Sequence, residues 1–292
     1  MKQAIYNIIM VCAAALLLLV GCVKDDLYNT PHPDKGAVKI TTDWNGRSSD
    51  AILPDSYILR IGTQEQTVSG ETNAFNTLFA PGGQDLLVYH NAEGITISGT
   101  TATVNTRADG TLEPAPGYLF SATKPLDIVK DDTLKVTVAM QQRIRSLTLS
   151  LKLNPGEEAR IGSTSATLTG IASAISLTDG TITSTEGKSV VPTFIIGTDN
   201  EQTRATGQPV LAATLRLLGM ITGEKQVLTL KITLTDGYVQ TITTDLSEAL
   251  KNFGGNMEPL ELDATLKLPV DGEYNGTISG WDKKEDITID AH

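Results

Sequence analysis

The sequence predicts an all-β protein built as two β-sandwiches, and three observations predict it. Apolar residues recur at every second position in several short runs. Asp-Gly turn dipeptides punctuate the chain between such runs. Helical periodicity is weak apart from one short stretch near residue 250. Many short strands with turns between them argue for sandwiches, and 292 residues less a leader suit two of them.

The chain opens with Lys2 and an apolar stretch, Ile8 to Val20. That stretch is too short to span a bilayer, which needs about 20 apolar residues. A positive start, a short apolar run and a small residue describe an export signal over residues 1–21. Leu19-Val20-Gly21-Cys22 looks like the bacterial lipobox, with cleavage between Gly21 and Cys22 and lipid carried on the Cys22 sulfur. Cys12 leaves with the leader, so Cys22 is the one thiol of the mature chain and no intrachain disulfide can form. Such a chain holds together by packing alone, which a core of this size can do. Several acyl chains make an anchor durable where one holds weakly.

The net charge of −11 becomes about −12 once Lys2 is removed. Nucleic acid is excluded as an expected partner, because its binding rests on clustered Lys and Arg. An acidic balance suits a protein kept soluble on a crowded surface.

Residues 22–36 are polar, carry Pro31 and Pro33, and read as a tether. Its fourteen residues after the cysteine reach about 45 Å when extended. The first strand follows: Val38, Ile40, Thr42 and Trp44 alternate with Lys39, Thr41 and Asp43. Leu134 to Met140 repeats the pattern, and Leu147 to Leu153 keeps it more strictly. In Leu228 to Leu246, the residues Leu228, Leu230, Ile232 and Leu234 share one face. Asp236-Gly237 then supplies the positive φ angles of a two-residue hairpin turn. The return strand places Tyr238, Gln240, Ile242 and Thr244 on one side. A helix is expected from about Leu246 to Phe253, capped by Ser247, with Glu248 in its first turn and Gly254-Gly255 at its end. Leu211 to Leu218 fits strand or helix. Strands resume at Leu260 to Leu268 and finish with Ile287-Thr-Ile-Asp290. The break between the sandwiches falls at Gln141-Gln142 or in the loop Asn154 to Glu158; the pattern fits both.

Residues able to do chemistry are sparse. The three histidines, His32, His90 and His292, have no neighbour at metal-ligand spacing. No GxSxG elbow, phosphate loop or dinucleotide fingerprint occurs. His90 is the one histidine placed to join a Ser–His–Asp set assembled in three dimensions. Asp131-Asp132 and Glu157-Glu158 are adjacent carboxylates, which a strand would point to opposite faces, and they read as loop solvation. Trp44 and Trp281 could stack on sugars, but a sandwich core readily buries tryptophan. No enzyme, no metal and no cofactor beyond a covalent lipid on Cys22 is expected. Exposed strand edges remain as the means of assembly, since an extended segment of another chain can add to one.

Several of these features occur together in one order. A lipobox is followed by the Pro-containing tether, "GAVKITTDW", a strand-rich first half, "QQRIRSLTLSLKL", and a terminal "GWDKKEDITID". This order resembles the fimbrial anchor and minor-subunit lipoproteins of Bacteroidales, the FimB-type or fimbrillin-associated anchor family. Lys24-Asp25-Asp26 is similar to the tag that sends such lipoproteins to the outer face of the outer membrane. The resemblance implies two tandem transthyretin-like sandwiches, residues 37–141 and 142–292, with the break at Gln141-Gln142. It implies other fimbrial subunits and outer-membrane lipid as partners, and a location on the cell-surface fimbrium. It also implies strand exchange, for which Val38, Ile40, Trp44, Ile287 and Ile289 are the candidates. Shaft subunits of such fimbriae are cut after an Arg or Lys near the first strand, and Arg47 in "WNGRSSD" is the matching position. Anchors keep the strand and its lipid.

Overall fold

The computed structural model describes residues 34–198, 207–269 and 276–283. The lipobox with Gly21 and Cys22, His32, His292, and the terminal Ile287 to Asp290 all lie outside the described residues.

In the first half the strands are β1 (Ala37–Asp43), β2 (Tyr57–Ile61), β3 (Gln64–Val68), β4 (Thr72–Ala74) and β5 (Gly82–Tyr89). They continue as β6 (Ile95–Ser98), β7 (Thr101–Val104), β8 (Phe120–Ile128), β9 (Thr133–Ala139) and β10 (Gln141–Gln142). A three-stranded sheet, β4-β1-β9, covers a five-stranded sheet, β10-β8-β5-β2-β3. Val38, Ile40, Leu59, Leu86, Val88 and Phe120 fill the space between, each essentially without exposure. The period-two pattern explains this arrangement, because alternate side chains of a strand share one face.

The second half has β11 (Arg145–Lys152), β12 (Ile161–Ile171), β13 (Ala174–Ser176), β14 (Lys188–Val190) and β15 (Ile195–Thr198). After these come β16 (Pro209–Leu217), β17 (Val227–Leu234), β18 (Val239–Asp245), the one-turn helix α1 (Ser247–Leu250), β19 (Leu260–Lys267) and β20 (Thr277–Lys283). The sheet β15-β16-β11-β19-β20 packs on β14-β12-β17-β18. Leu147, Leu149, Leu151 and Leu153 lie wholly inside it, opposite Leu228, Leu230 and Ile232. A fifth, small sheet joins the halves, since β13 pairs with β7, which pairs with β6. One continuous apolar core runs through both halves.

The architecture is all-β, as the alternation predicts, and Leu211 to Leu217 is strand, with Leu218 just beyond its end. Two local expectations are corrected. The hairpin between β17 and β18 turns through three residues, Thr235, Asp236 and Gly237. The Gly237 N–H donates to the Leu234 carbonyl, and the Leu234 N–H donates to the Tyr238 carbonyl. Only Gly237 takes a positive φ, +89°, so this is a type I turn closed by a glycine bulge rather than a two-residue turn. The helix is also shorter than expected, ending at Leu250, and Asp245 rather than Ser247 organises its start. Asp245 Oδ1 accepts from both the Ser247 N–H and its hydroxyl, and Ser247 is already the first helical residue. Phe253–Gly255 forms a separate 3-10 turn.

The chain enters β1 through a tight point. A Cβ on Gly36 would stand 2.2 Å from the Val129 carbonyl oxygen, so only glycine fits there. Gly36 and Phe79 exchange backbone hydrogen bonds in both directions.

Candidate functional site

β1 lies in the middle of its sheet. It pairs in parallel with β9 over seven residues, Ala37 opposite Thr133 through Asp43 opposite Ala139. It pairs antiparallel with β4 through Lys39, Ile40 and Thr41. Val38, Ile40 and Thr42 point inward, and burial of the two aliphatic side chains contributes roughly 2 kcal/mol each. Its removal would open a long apolar groove between β4 and β9.

Trp44 follows directly and closes the end of the core. Its ring meets Tyr57 and Phe120 edge-on, with centroids 5.7 and 5.4 Å apart. Its indole N–H donates to Thr42 Oγ1 at 2.9 Å. Trp281 does the equivalent in the second half, donating to Thr244 Oγ1 at 3.0 Å. The two tryptophans therefore belong to separate sheets, and each packs against the core. Beside Trp44 opens a cleft of about 410 Å³, lined among others by Asn45, Arg47, Tyr57 and Glu71.

Arg47 is exposed on a turn in which its N–H donates to the Trp44 carbonyl. The next residue is in the opposite situation. Ser48 is only 2% exposed. Its N–H and hydroxyl both reach Gln142 Oε1, at 2.8 and 3.0 Å. Its hydroxyl also lies 2.6 Å from Asp50 Oδ1. The Gln142 amide group returns to Ser48 Oγ and to the Ile144 carbonyl. Asp50 then binds the Tyr118 hydroxyl in a short hydrogen bond and accepts from Ser146 Oγ at 2.6 Å. Ser49 donates through N–H and hydroxyl to Glu258. Residues 48–50 thus bolt the loop after β1 to the start of β11 and to the segment before β19.

The electrostatics follow from this packing. Burial works against the Asp50 carboxylate, but hydrogen bonds from Ser146, Ser48 and Tyr118 outweigh it and hold its pKa below the ordinary value. Burial and the Asp50 contact push the Tyr118 phenol up. The Arg216 guanidinium stacks 5.2 Å from the Tyr118 ring centre. On the other side Arg145, 7% exposed, donates to the carbonyls of Glu258 and Phe253 and covers the Phe253 ring. Arg143 donates to Ser121 Oγ. The two arginines of "QQRIRS" are buried fasteners of the joint.

His90 is buried, and its Nε2 accepts the Phe120 N–H at 3.2 Å. Burial lowers its pKa. It is a structural imidazole, with no serine or carboxylate among its hydrogen-bond partners. Below pH about 6.5 the unfolded chain takes a proton at this position that the folded chain resists. The expected result is that stability falls as pH drops below 6.5, and that His90→Gln flattens this slope in thermal melts. An unchanged slope in the variant counts against it. The paired carboxylates are turn fasteners: Asp132 accepts the Thr133 N–H, Glu157 that of Asn154 and Glu158 that of Gly156. Among the described residues no group of three or more His, Cys, Asp or Glu could hold a metal. No helix among them is long and apolar enough to cross a membrane.

The fold defines a class of all-β proteins built from packed antiparallel and mixed sheets. Three solved structures share the fold. A putative adhesin of Bacteroides ovatus matches with TM-score 0.58 at 17% identity, over 90% of this chain and 96% of its own. A putative adhesin of Bacteroides thetaiotaomicron gives 0.59 at 13%, over 82% and 93%. The fimbrial anchor protein Mfa2 of Porphyromonas gingivalis gives 0.57 at 9%, over 85% and 97%. A search of curated proteins gave no significant match. The profile of the fimbrillin-A associated anchor proteins Mfa1 and Mfa2 matches residues 54–289, and the chain belongs to that family. It is a fimbria-associated surface protein of a non-enzymatic kind.

Proposed function

We propose that the protein is an outer-membrane lipoprotein that anchors a surface fimbrium, or forms a minor subunit near its base. Cys22 carries the lipid, and residues 22–36 are the tether. Residues 37–141 and 142–292 are the two sandwiches. Other fimbrial subunits are the partners, joined by β-strand complementation through the terminal segment with Ile287 and Ile289.

The observation that supports the anchor reading is the burial of Ser48 beside the exposed Arg47. A protease must draw residues on both sides of the scissile bond into an extended strand. The Ser48 N–H and hydroxyl are committed to Gln142, and Ser49 is committed to Glu258. The Arg47–Ser48 bond is therefore protected, β1 stays in its sheet, and the chain remains continuous from Cys22 to the body. A subunit whose own β1 fills the groove cannot accept a neighbour's strand there. That groove is closed to a neighbour, as suits a subunit at the base of the fibre.

Mass spectrometry of the protein's N-terminus from native membranes tests this reading. Acylated Cys22 is the expected first residue. Ser48 as first residue overturns it and makes the chain a released shaft or tip subunit. The cleft beside Trp44 favours one second reading, a surface glycan-binding lipoprotein, because an aromatic floor and polar rim suit a sugar ring. A protein of Bacteroides thetaiotaomicron that shares the fold is described as a putative polysaccharide binding protein. A glycan array separates the readings: a signal lost in Arg47→Ala or Glu71→Gln favours the glycan, and a blank array the anchor.

A further inference from the structure

Among the described residues the sheet β15-β16-β11-β19-β20 ends in two unlike edges. Natural sheets blunt their edges with charge, proline or bulges, because an open edge templates another strand. β20 is blunted in this way. Its register shifts opposite Asp263 and Thr265, Gly280 has φ +72°, Asp282 and Lys283 are charged, and Trp281 is tied to Thr244. The four residues of β15 themselves carry no charge, proline or bulge. It reads Ile195-Ile196-Gly197-Thr198, with Ile195 68% and Ile196 43% exposed.

The register shows which backbone groups this edge offers. Bonded and non-bonded pairs alternate between antiparallel neighbours. Pro209, opposite Thr198, lacks an N–H and turns its carbonyl toward the Leu153 N–H on the far side. Thr198–Pro209 and Ile196–Leu211 are therefore the non-bonded pairs. The N–H and C=O of Ile196 face outward, away from β16. A cleft opens on each face of the strand. One, about 560 Å³, is lined by Ile195, Val210, Ala212, Pro114 and Ala115. The other, about 520 Å³, includes Ile196, Pro155 and Pro209.

We propose that β15 is a strand-accepting edge, and that its occupant is the segment Ile287-Thr288-Ile289 of a second copy of this chain. The proposal rests on the reading of that segment as a donated strand. The segment alternates with the period of a strand, so both isoleucines share one face and suit the larger apolar cleft. Thr288 would face the other cleft, and main-chain hydrogen bonds would run to Ile196. The chain's own segment cannot serve. A strand added outside β15 lies five spacings from β20, about 24 Å across the sheet. Ile287 is four residues beyond Lys283, a reach of about 14 Å. Donor and acceptor therefore belong to different copies and lie at opposite edges of one sheet. Such a contact is heterologous and propagates head to tail instead of closing into a two-fold dimer.

The test uses the chain from Val23 onward, kept dilute, with a fluorescent peptide of residues 284–292. The peptide is expected to bind saturably. Ile195→Lys and Ile196→Pro, each with unchanged melting, are expected to weaken binding by about tenfold or more, the loss of one good contact. A peptide carrying Asp at 287 and 289 is expected to stay unbound. Equal binding by both edge variants overturns the β15 assignment while leaving strand donation standing. No binding to the unmodified chain overturns the second copy as acceptor. Whether truncation after Lys283 then still releases fibres from cells shows if strand donation to another subunit survives.

Discussion

Replacing Gln142 and Asp50 together with alanine is expected to expose the Arg47–Ser48 bond to trypsin. The two side chains hold Ser48 through its N–H and hydroxyl, and Asp50 also takes the Tyr118 and Ser146 hydroxyls. Cleavage of a folded chain tracks the population of the locally open form when opening is fast. Loss of these contacts, discounted because Asp50 is largely exposed, lowers the opening free energy by about 2 kcal/mol. That corresponds to roughly 30-fold faster appearance of a fragment beginning at Ser48. Mass spectrometry of timed digests reads this directly, with Arg107 and Arg160 as internal comparison sites. Equal rates in the variant and the original would mean that the loop is protected by something other than this cluster. The same contacts predict an acid response. The Asp50 pKa is lowered on folding, so its contribution is present above the ordinary carboxylate range and is lost as pH falls through the folded value.

Truncation after Lys283 is expected to detach fibres from cells almost completely while leaving the body folded. β20 ends at Lys283 and keeps Trp281 bonded to Thr244, so the cut spares the last strand of the sheet. A cut at Trp281 would instead remove Asp282 and Lys283, which pair with Asp263 and Leu262. Fibre counts on washed cells, together with melting of the purified protein, check the result. Fibres that remain attached at normal length would sink the donation idea. A lowered melting temperature would show that the tail also supports its own sheet.

Much of this architecture was legible because it depends on period. Strands such as β11 and β17 bury one face completely, so their alternation is close to strict and their positions follow from the sequence. Val38 and Ile40 were readable in the same way. The hairpin turn was harder, because Asp-Gly fits both two-residue and three-residue loops. The choice between them lies in whether Asp236 also takes a positive φ, and it does not. The joint was least legible. Apart from the neighbours Ser48 and Asp50, the bonds that connect Ser48, Asp50, Tyr118, Gln142 and Ser146 span 28 to 96 positions. No local pattern marks such a cluster. The only hints were polar residues placed just after a strand, "RSSD", and the Gln-Gln at a suspected boundary. Arg143 and Arg145 gave no warning of burial, since arginine usually stays in water and goes inside only where carbonyls and rings receive it.

The parallel pairing of β1 with β9 has a mechanical consequence. On the anchor reading, drag on the fibre is resisted through the tether that enters β1 at Gly36. A pull along that tether runs down the axis of β1, so the seven paired positions with Thr133 to Ala139 are loaded in shear. Shear strains the hydrogen bonds together, whereas a pull at right angles would unzip them one at a time. The glycine-tight entry at Val129 keeps the load in line. Fluid flow would then meet the strongest direction of the sheet at the point where the cell holds on.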